Sequence, residues 1–145
     1  MKTSTSTSTY AAFLFSLLVA SLVMGCGGGG GSDVKVDVQA QIQNLKSPDT
    51  ETRINACAAL AQAGQGAAPA VSTLIPLLKD SDGMVRRLAA HALGQVGPKA
   101  KEAVPALKEA AKDRDPTVAT EAIGAIQGID PSAAAGLKAM PNVTN

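Results

Sequence analysis

The sequence predicts an all-α fold, a short α-solenoid of about three helix pairs with half-repeats at its ends. Three observations carry the expectation. First, Lys46, Lys79 and Lys112 are spaced by 33 residues, and the same offset aligns Asp49, Asp82 and Asp115; Ala56, Ala89 and Ala122; and Leu60, Leu93 and Ile126. Self-similarity at such a period marks an array of stacked units. Second, Val85, Leu88, Ala89, Ala92, Leu93 and Val96 recur at helical spacing and form one apolar face. Third, the ends of these segments carry helix punctuation: aspartates before them, and glycine followed by proline after the second.

The elements follow in order. Residues 1–25 have the form of a secretory leader, with Lys2 followed by Ser and Thr and then an apolar run over residues 11–24. That run is shorter than the roughly 20 residues a membrane-spanning helix needs and matches a signal-peptide core. It ends at Val23-Met24-Gly25-Cys26, which resembles the lipobox of bacterial lipoproteins. The resemblance implies cleavage before Cys26 and acylation of that cysteine; an ordinary secretory leader cut after Gly25, leaving a free thiol, is the alternative. Residues 26–37 would then be the acylated cysteine and a tether, since the five glycines after Cys26 hold no fixed structure cheaply.

The repeat domain is expected over residues 38–140. Val38, Ile42 and Leu45 suggest a leading half-unit, a lone second helix. First (A) helices begin after Asp49, Asp82 and Asp115, and Asp115-Pro116 combines an N-cap with proline at the first helical position, where a missing N–H costs nothing. Gly97-Pro98 stops the second A helix. Second (B) helices follow, with Val71, Leu74, Leu77 and Leu78 in one copy and Val104, Leu107 and Ala111 in the next. Residues 133–140 suggest a short trailing helix, and residues 141–145 a tail. Alanine-rich helix pairs bury little area alone, so stability must come from stacking unit on unit.

The string Asp82-x-x-Val85-Arg86-x-x-Ala89-Ala90-x-Ala92-Leu93-Gly94-x-Val96-Gly97, with Ala103-Val104-Pro105-Ala106-Leu107 after it, resembles HEAT repeats, and the short period is similar to the phycobilisome-lyase-like subgroup. The resemblance implies a right-handed solenoid whose B helices line a concave face. It also implies an Asp–Arg ladder between successive A helices, at Asp49 with Arg53 and Asp82 with Arg86; Ala119 stands where the third arginine would be. Ankyrin repeats share the period, but their Thr-Pro-Leu-His signature is missing from this sequence.

Composition narrows the function. The chain has 145 residues, a net charge of +1 and 2% aromatic residues, all three of them (Tyr10, Phe13 and Phe15) in the leader. A chain without aromatics beyond its leader has no stacking platform for single-stranded nucleic acid, and a neutral one lacks the charge to hold a duplex by its phosphates. No nucleic-acid partner is expected.

Chemistry-bearing residues are few. His91 is the only histidine, and no motif beside it supplies a nucleophile. Cys57 has no neighbouring His or Cys for a zinc site and is expected beside the core. Asp80-Ser81-Asp82-Gly83 opens like a calcium loop, but His91 takes the place of the closing glutamate. Asn142-Val143-Thr144 is a glycosylation triplet of a kind common by chance. No enzyme activity, cofactor or metal is expected. Gln39, Gln43, Thr73, Lys108 and Glu109, with Lys112 from the lysine stripe, are the candidate partner-binding residues on the exposed side of the B helices.

The sequence-based expectation is therefore a non-enzymatic scaffold for a protein partner, lipid-anchored through Cys26 at the bacterial cell envelope, with the outer membrane favoured. The alternatives are a lyase-like or chaperone-like protein acting on a small ligand, and a purely structural spacer.

Overall fold

The structure is a computed structural model and describes residues 36–137. The leader, Cys26 and most of the tether, and residues 138–145 with the glycosylation triplet, lie outside the described residues. Among the described residues seven α-helices follow one another: α1 (Val38–Asn44), α2 (Thr50–Ala63), α3 (Val71–Leu77), α4 (Gly83–Val96), α5 (Val104–Ala110), α6 (Pro116–Ile129) and α7 (Pro131–Ala134). No strand occurs among the described residues.

Local chemistry sets the helix starts. Asp49, Asp82 and Asp115 all have extended backbone, and their carboxylates accept from the first free amides of α2, α4 and α6: Thr52 at 2.7 Å, Met84 at 2.8 Å and Thr117 at 2.9 Å. Each satisfies an orphan N–H at a helix start. Asp37 does the same for α1 through the Ala40 amide. The first two A helices end at Gly64 (φ +54°) and Gly97 (φ +67°), a left-handed region that costs glycine little and other residues more.

Between each of these glycines and the next B helix runs a 3₁₀ segment, Gly64–Ala70 and Gly97–Ala103, which the apolar pattern alone does not distinguish from the helix that follows. Its tighter winding carries Ala67, Ala70, Ala100 and Ala103 inward, all fully buried. The third copy departs. Asp130 replaces the glycine, ends α6 and caps α7 at once, accepting from Ser132 at 3.0 Å. Of the trailing helix expected over residues 133–140, the described part is helical only at Ala133 and Ala134, the end of α7, which starts earlier at Pro131; Gly136 turns at φ +89° and Leu137 lies outside the helix.

The A helices α2, α4 and α6 stack side by side, and each B helix leans on the A helix that follows it: α1 on α2, α3 on α4 and α5 on α6. The tight pairs therefore form across the B-to-A turn. The core repeats with the register. Leu60, Leu93 and Ile126 are fully buried, as are Ala56, Ala89 and Ala122 and the pair Leu74 and Leu107. Small residues let α4 and α6 approach closely; a Cβ built on Gly94 would lie 3.0 Å from Ala125 Cα and 3.2 Å from its Cβ. Asn55 and Gln62 on α2, and Thr120 and Gln127 on α6, are exposed.

Candidate interaction surface

The 33-residue register and the 3.6-residue turn together define one face of the B layer. On each B helix, positions four and seven residues apart share a face. Gln39, Gln43 and Lys46 in the first copy, Ser72, Pro76 and Lys79 in the second, and Pro105, Glu109 and Lys112 in the third are all exposed. They make a three-by-three array with one column per helix. The lysines stand just past the helix ends, and their own amides close the last turns on Gln43, Pro76 and Glu109 carbonyls at 3.0 Å. A cation there is also favoured by the helix dipole.

Of the residues expected on this surface, Gln39, Gln43, Glu109 and Lys112 fall in the array. Lys108 is exposed but stands in the register of Ile42 and Ile75, which are half-buried against the core. Thr73 is half-buried and shares its register with Ala40 and Ala106. Ser72, Pro76 and Pro105 complete the array; sequence reasoning passed them over, although the 33-residue offset already pointed to them. Lys112 and Glu109 pair at 3.1 Å, both about two-thirds exposed (65% and 67%), so the pair is solvated and contributes little.

The arginine ladder exists with different carboxylates from those expected. Arg53 reaches Asp80 of the next copy, Nε to Oδ2 at 2.9 Å and Nη2 to Oδ1 at 3.2 Å. Arg86 reaches Asp113 in the same way at 2.7 and 3.1 Å. Each guanidinium also donates to two carbonyls of its own B-to-A turn: Arg53 to Ser47 and Pro48, Arg86 to Asp80 and Ser81. Asp49 and Asp82, assigned to the ladder from the resemblance, are instead turned onto the amides of their own helices. The reason is geometric: a carboxylate at an N-cap faces the amides it closes, whereas one two residues earlier faces the preceding repeat.

Asp80 and Asp113 also accept from the amides of Asp82 and Asp115, at 3.0 and 2.9 Å, so they brace the turn they sit in. Ser47 fills that role in the first copy. Burial works to raise the pKa of both aspartates, but the turn amides and the arginines outweigh it and hold both below the usual carboxylate value. The Asp113 hydrogen bond raises the pKa of Arg86 in turn. Ala119, buried at the third arginine position, carries no guanidinium and the ladder has two rungs among the described residues.

Asp80 and Asp82 are committed to Arg53 and to helix capping, and among the described residues no group of three or more His, Cys, Asp or Glu gathers as a metal site. Cys57 is fully buried, and burial, with a smaller push from Asp80, drives its thiol up to about 12. His91, with no motif beside it in the sequence, finds a partner one repeat away: Nδ1 lies 2.7 Å from Glu121 Oε1, bridging α4 and α6 with both side chains over a third exposed. That carboxylate is its only hydrogen-bond partner among the described residues.

Stacked helix pairs, a periodic core and one side-chain rung per junction define an α-solenoid repeat protein. The family model described as HEAT repeats matches residues 38–127, and the chain belongs to that family. A search of curated proteins returned no match. HEAT repeats commonly serve as protein-interaction scaffolds and are generally non-enzymatic.

Proposed function

We propose that this chain is an adaptor at the bacterial cell envelope, anchored by lipid on Cys26, that holds a protein partner on the outer face of its B helices without catalysing a reaction. The observation that carries the reading is the three-by-three array of exposed Gln, Ser, Pro, Glu and Lys side chains, one column per repeat. Membership of a scaffold family supports it. The Gly-rich segment after Cys26 would set the reach of the domain from the membrane surface. A specific interface needs about 1,000 Å² or more in total, and three columns suit a segment laid along the array better than a second globular face. Neither the lyase-like reading nor the spacer reading has a comparable observation behind it.

Crosslinking affinity capture from native membranes tests the proposal, with wild type compared against Cys26→Ser and against Gln39→Ala/Gln43→Ala. Near-stoichiometric enrichment of one protein, reduced by both variants, is the expected result. Capture that is insensitive to the glutamine substitutions refutes the B-helix face, and an unchanged membrane fraction for Cys26→Ser refutes the anchor.

A further inference from the structure

Of the three rows that cross the B helices, only one is occupied by the same residue in every copy. The others vary, as Gln39, Ser72 and Pro105 and as Gln43, Pro76 and Glu109; the edge row is Lys46, Lys79 and Lys112. No ion pair forms at Lys46 or Lys79 among the described residues, and Lys112 has only its solvated contact to Glu109. The half-buried carboxylates nearest in sequence, Asp80 and Asp113, are neutralised by Arg53 and Arg86, and the N-cap carboxylates are turned onto their own helix amides. The face therefore carries three lysines against the single carboxylate of Glu109. Its free charge is positive and periodic.

We propose that the B-helix face binds an extended, acidic segment of a partner protein, with its carboxylates in step with the lysine row; this deepens the adaptor reading and rests on it. Packed helices set a repeat-to-repeat step of about 8–10 Å, and an extended chain in the polyproline II conformation rises about 3.1 Å per residue with three residues per turn, so every third side chain shares a face. Three ligand residues therefore span one repeat, so acidic side chains at every third position meet Lys46, Lys79 and Lys112 in turn. The exposed amides of Gln39 and Gln43 both donate and accept, and so can hold the main chain of such a segment beside the row. Charge at this edge selects the ligand and its register more than it adds raw affinity.

The test is fluorescence anisotropy on the full chain with labelled peptides of one composition. One peptide carries glutamate at every third position, three in all; the other carries the same three glutamates together. The spaced peptide is expected to bind roughly tenfold tighter, to weaken as salt rises toward about 0.15 M, and to lose roughly tenfold with Lys79→Glu. A peptide with lysine at its central glutamate position should restore binding to Lys79→Glu. Circular dichroism of Lys79→Glu and of the milder Lys79→Gln separates loss of binding from loss of fold. Equal binding of the two peptides overturns the proposal, as does indifference to Lys79→Glu or binding only to phosphatidylglycerol vesicles. If the captured partner depends on Gln39 and Gln43 but ignores all three lysines, the acidic-segment inference fails while the adaptor reading stands.

Discussion

Removing the Asp113 carboxylate tests the ladder directly. In wild type, Arg86 is held by two bonds to Asp113, at 2.7 and 3.1 Å, and by the Asp80 and Ser81 carbonyls, at 2.9 and 3.2 Å. The Arg86 and Asp113 side chains are 9% and 12% exposed. Asp113→Ala leaves a nearly buried guanidinium with half its partners and also strips the Asp115 amide, which donates to Asp113 Oδ1, of its side-chain acceptor. Breaking a buried ion pair costs about 3–5 kcal/mol. The two surviving carbonyl contacts and the residual exposure place this rung at the low end, so the single variant should lose about 3 kcal/mol. Arg86→Met should lose a similar amount, because Asp113 is then a buried carboxylate with only the Asp115 amide left. The double variant should lose far less than the sum, since neither charge remains to be desolvated, giving a coupling of about 2 kcal/mol. Asp82→Ala, a cap deletion, should cost about 1 kcal/mol and couple little to Arg86→Met. Urea unfolding of these proteins and of the double variant Asp82→Ala/Arg86→Met, six in all, followed by circular dichroism and linear extrapolation, measures these differences. Loss under 1 kcal/mol for Asp113→Ala, or a stronger coupling of Arg86 to Asp82 than to Asp113, would refute the assignment of the rung.

Other consequences follow from the same contacts. Asp80 and Asp113 have folded-state pKa values below the ordinary 3.8, so their contribution is fully present above that value and is lost as pH falls through the lowered one; thermal melts should be flat from neutrality to about pH 5 and drop below about pH 4, and the drop should shrink in Arg53→Met/Arg86→Met. Gly94→Ala places a methyl 3.0 Å from Ala125 backbone and should destabilise by about 1–3 kcal/mol in urea unfolding, whereas Gly124→Ala, with open space around it, should be neutral or stabilising. In Cys26→Ser, the thiol of Cys57, buried and shifted to about 12, should stay unreactive to a disulfide reagent until urea unfolds the domain; rapid labelling of the native protein would show that the site opens.

Much of this protein was legible in its sequence because the relevant physics is local or repeated. A capping aspartate acts on amides two or three residues away, so Asp49, Asp82 and Asp115 announce α2, α4 and α6. A 33-residue offset carries the burial of Leu60 over to Leu93 and Ile126 without any knowledge of the packing. The polar positions of the B helices were only partly legible: Gln39, Gln43 and Glu109 lie in the array, while Thr73 is half-buried beneath it. Distinguishing them needs the angle at which each helix rests on its neighbour.

What the tertiary structure alone decided lies between repeats. Arg53 and Asp80, like Arg86 and Asp113, are 27 residues apart, less than one period, and they meet only because stacking brings the next B-to-A turn over the preceding A helix. Asp82 is the more conspicuous carboxylate in the sequence, yet its backbone has to start α4, and its carboxylate faces the Met84 and Val85 amides that it closes. His91 and Glu121 meet for a related reason, 30 residues apart on adjoining faces of α4 and α6. Capping, periodicity and polarity act along the chain and are written in it; the partner of a side chain that points across a junction is set by how one repeat turns on the next.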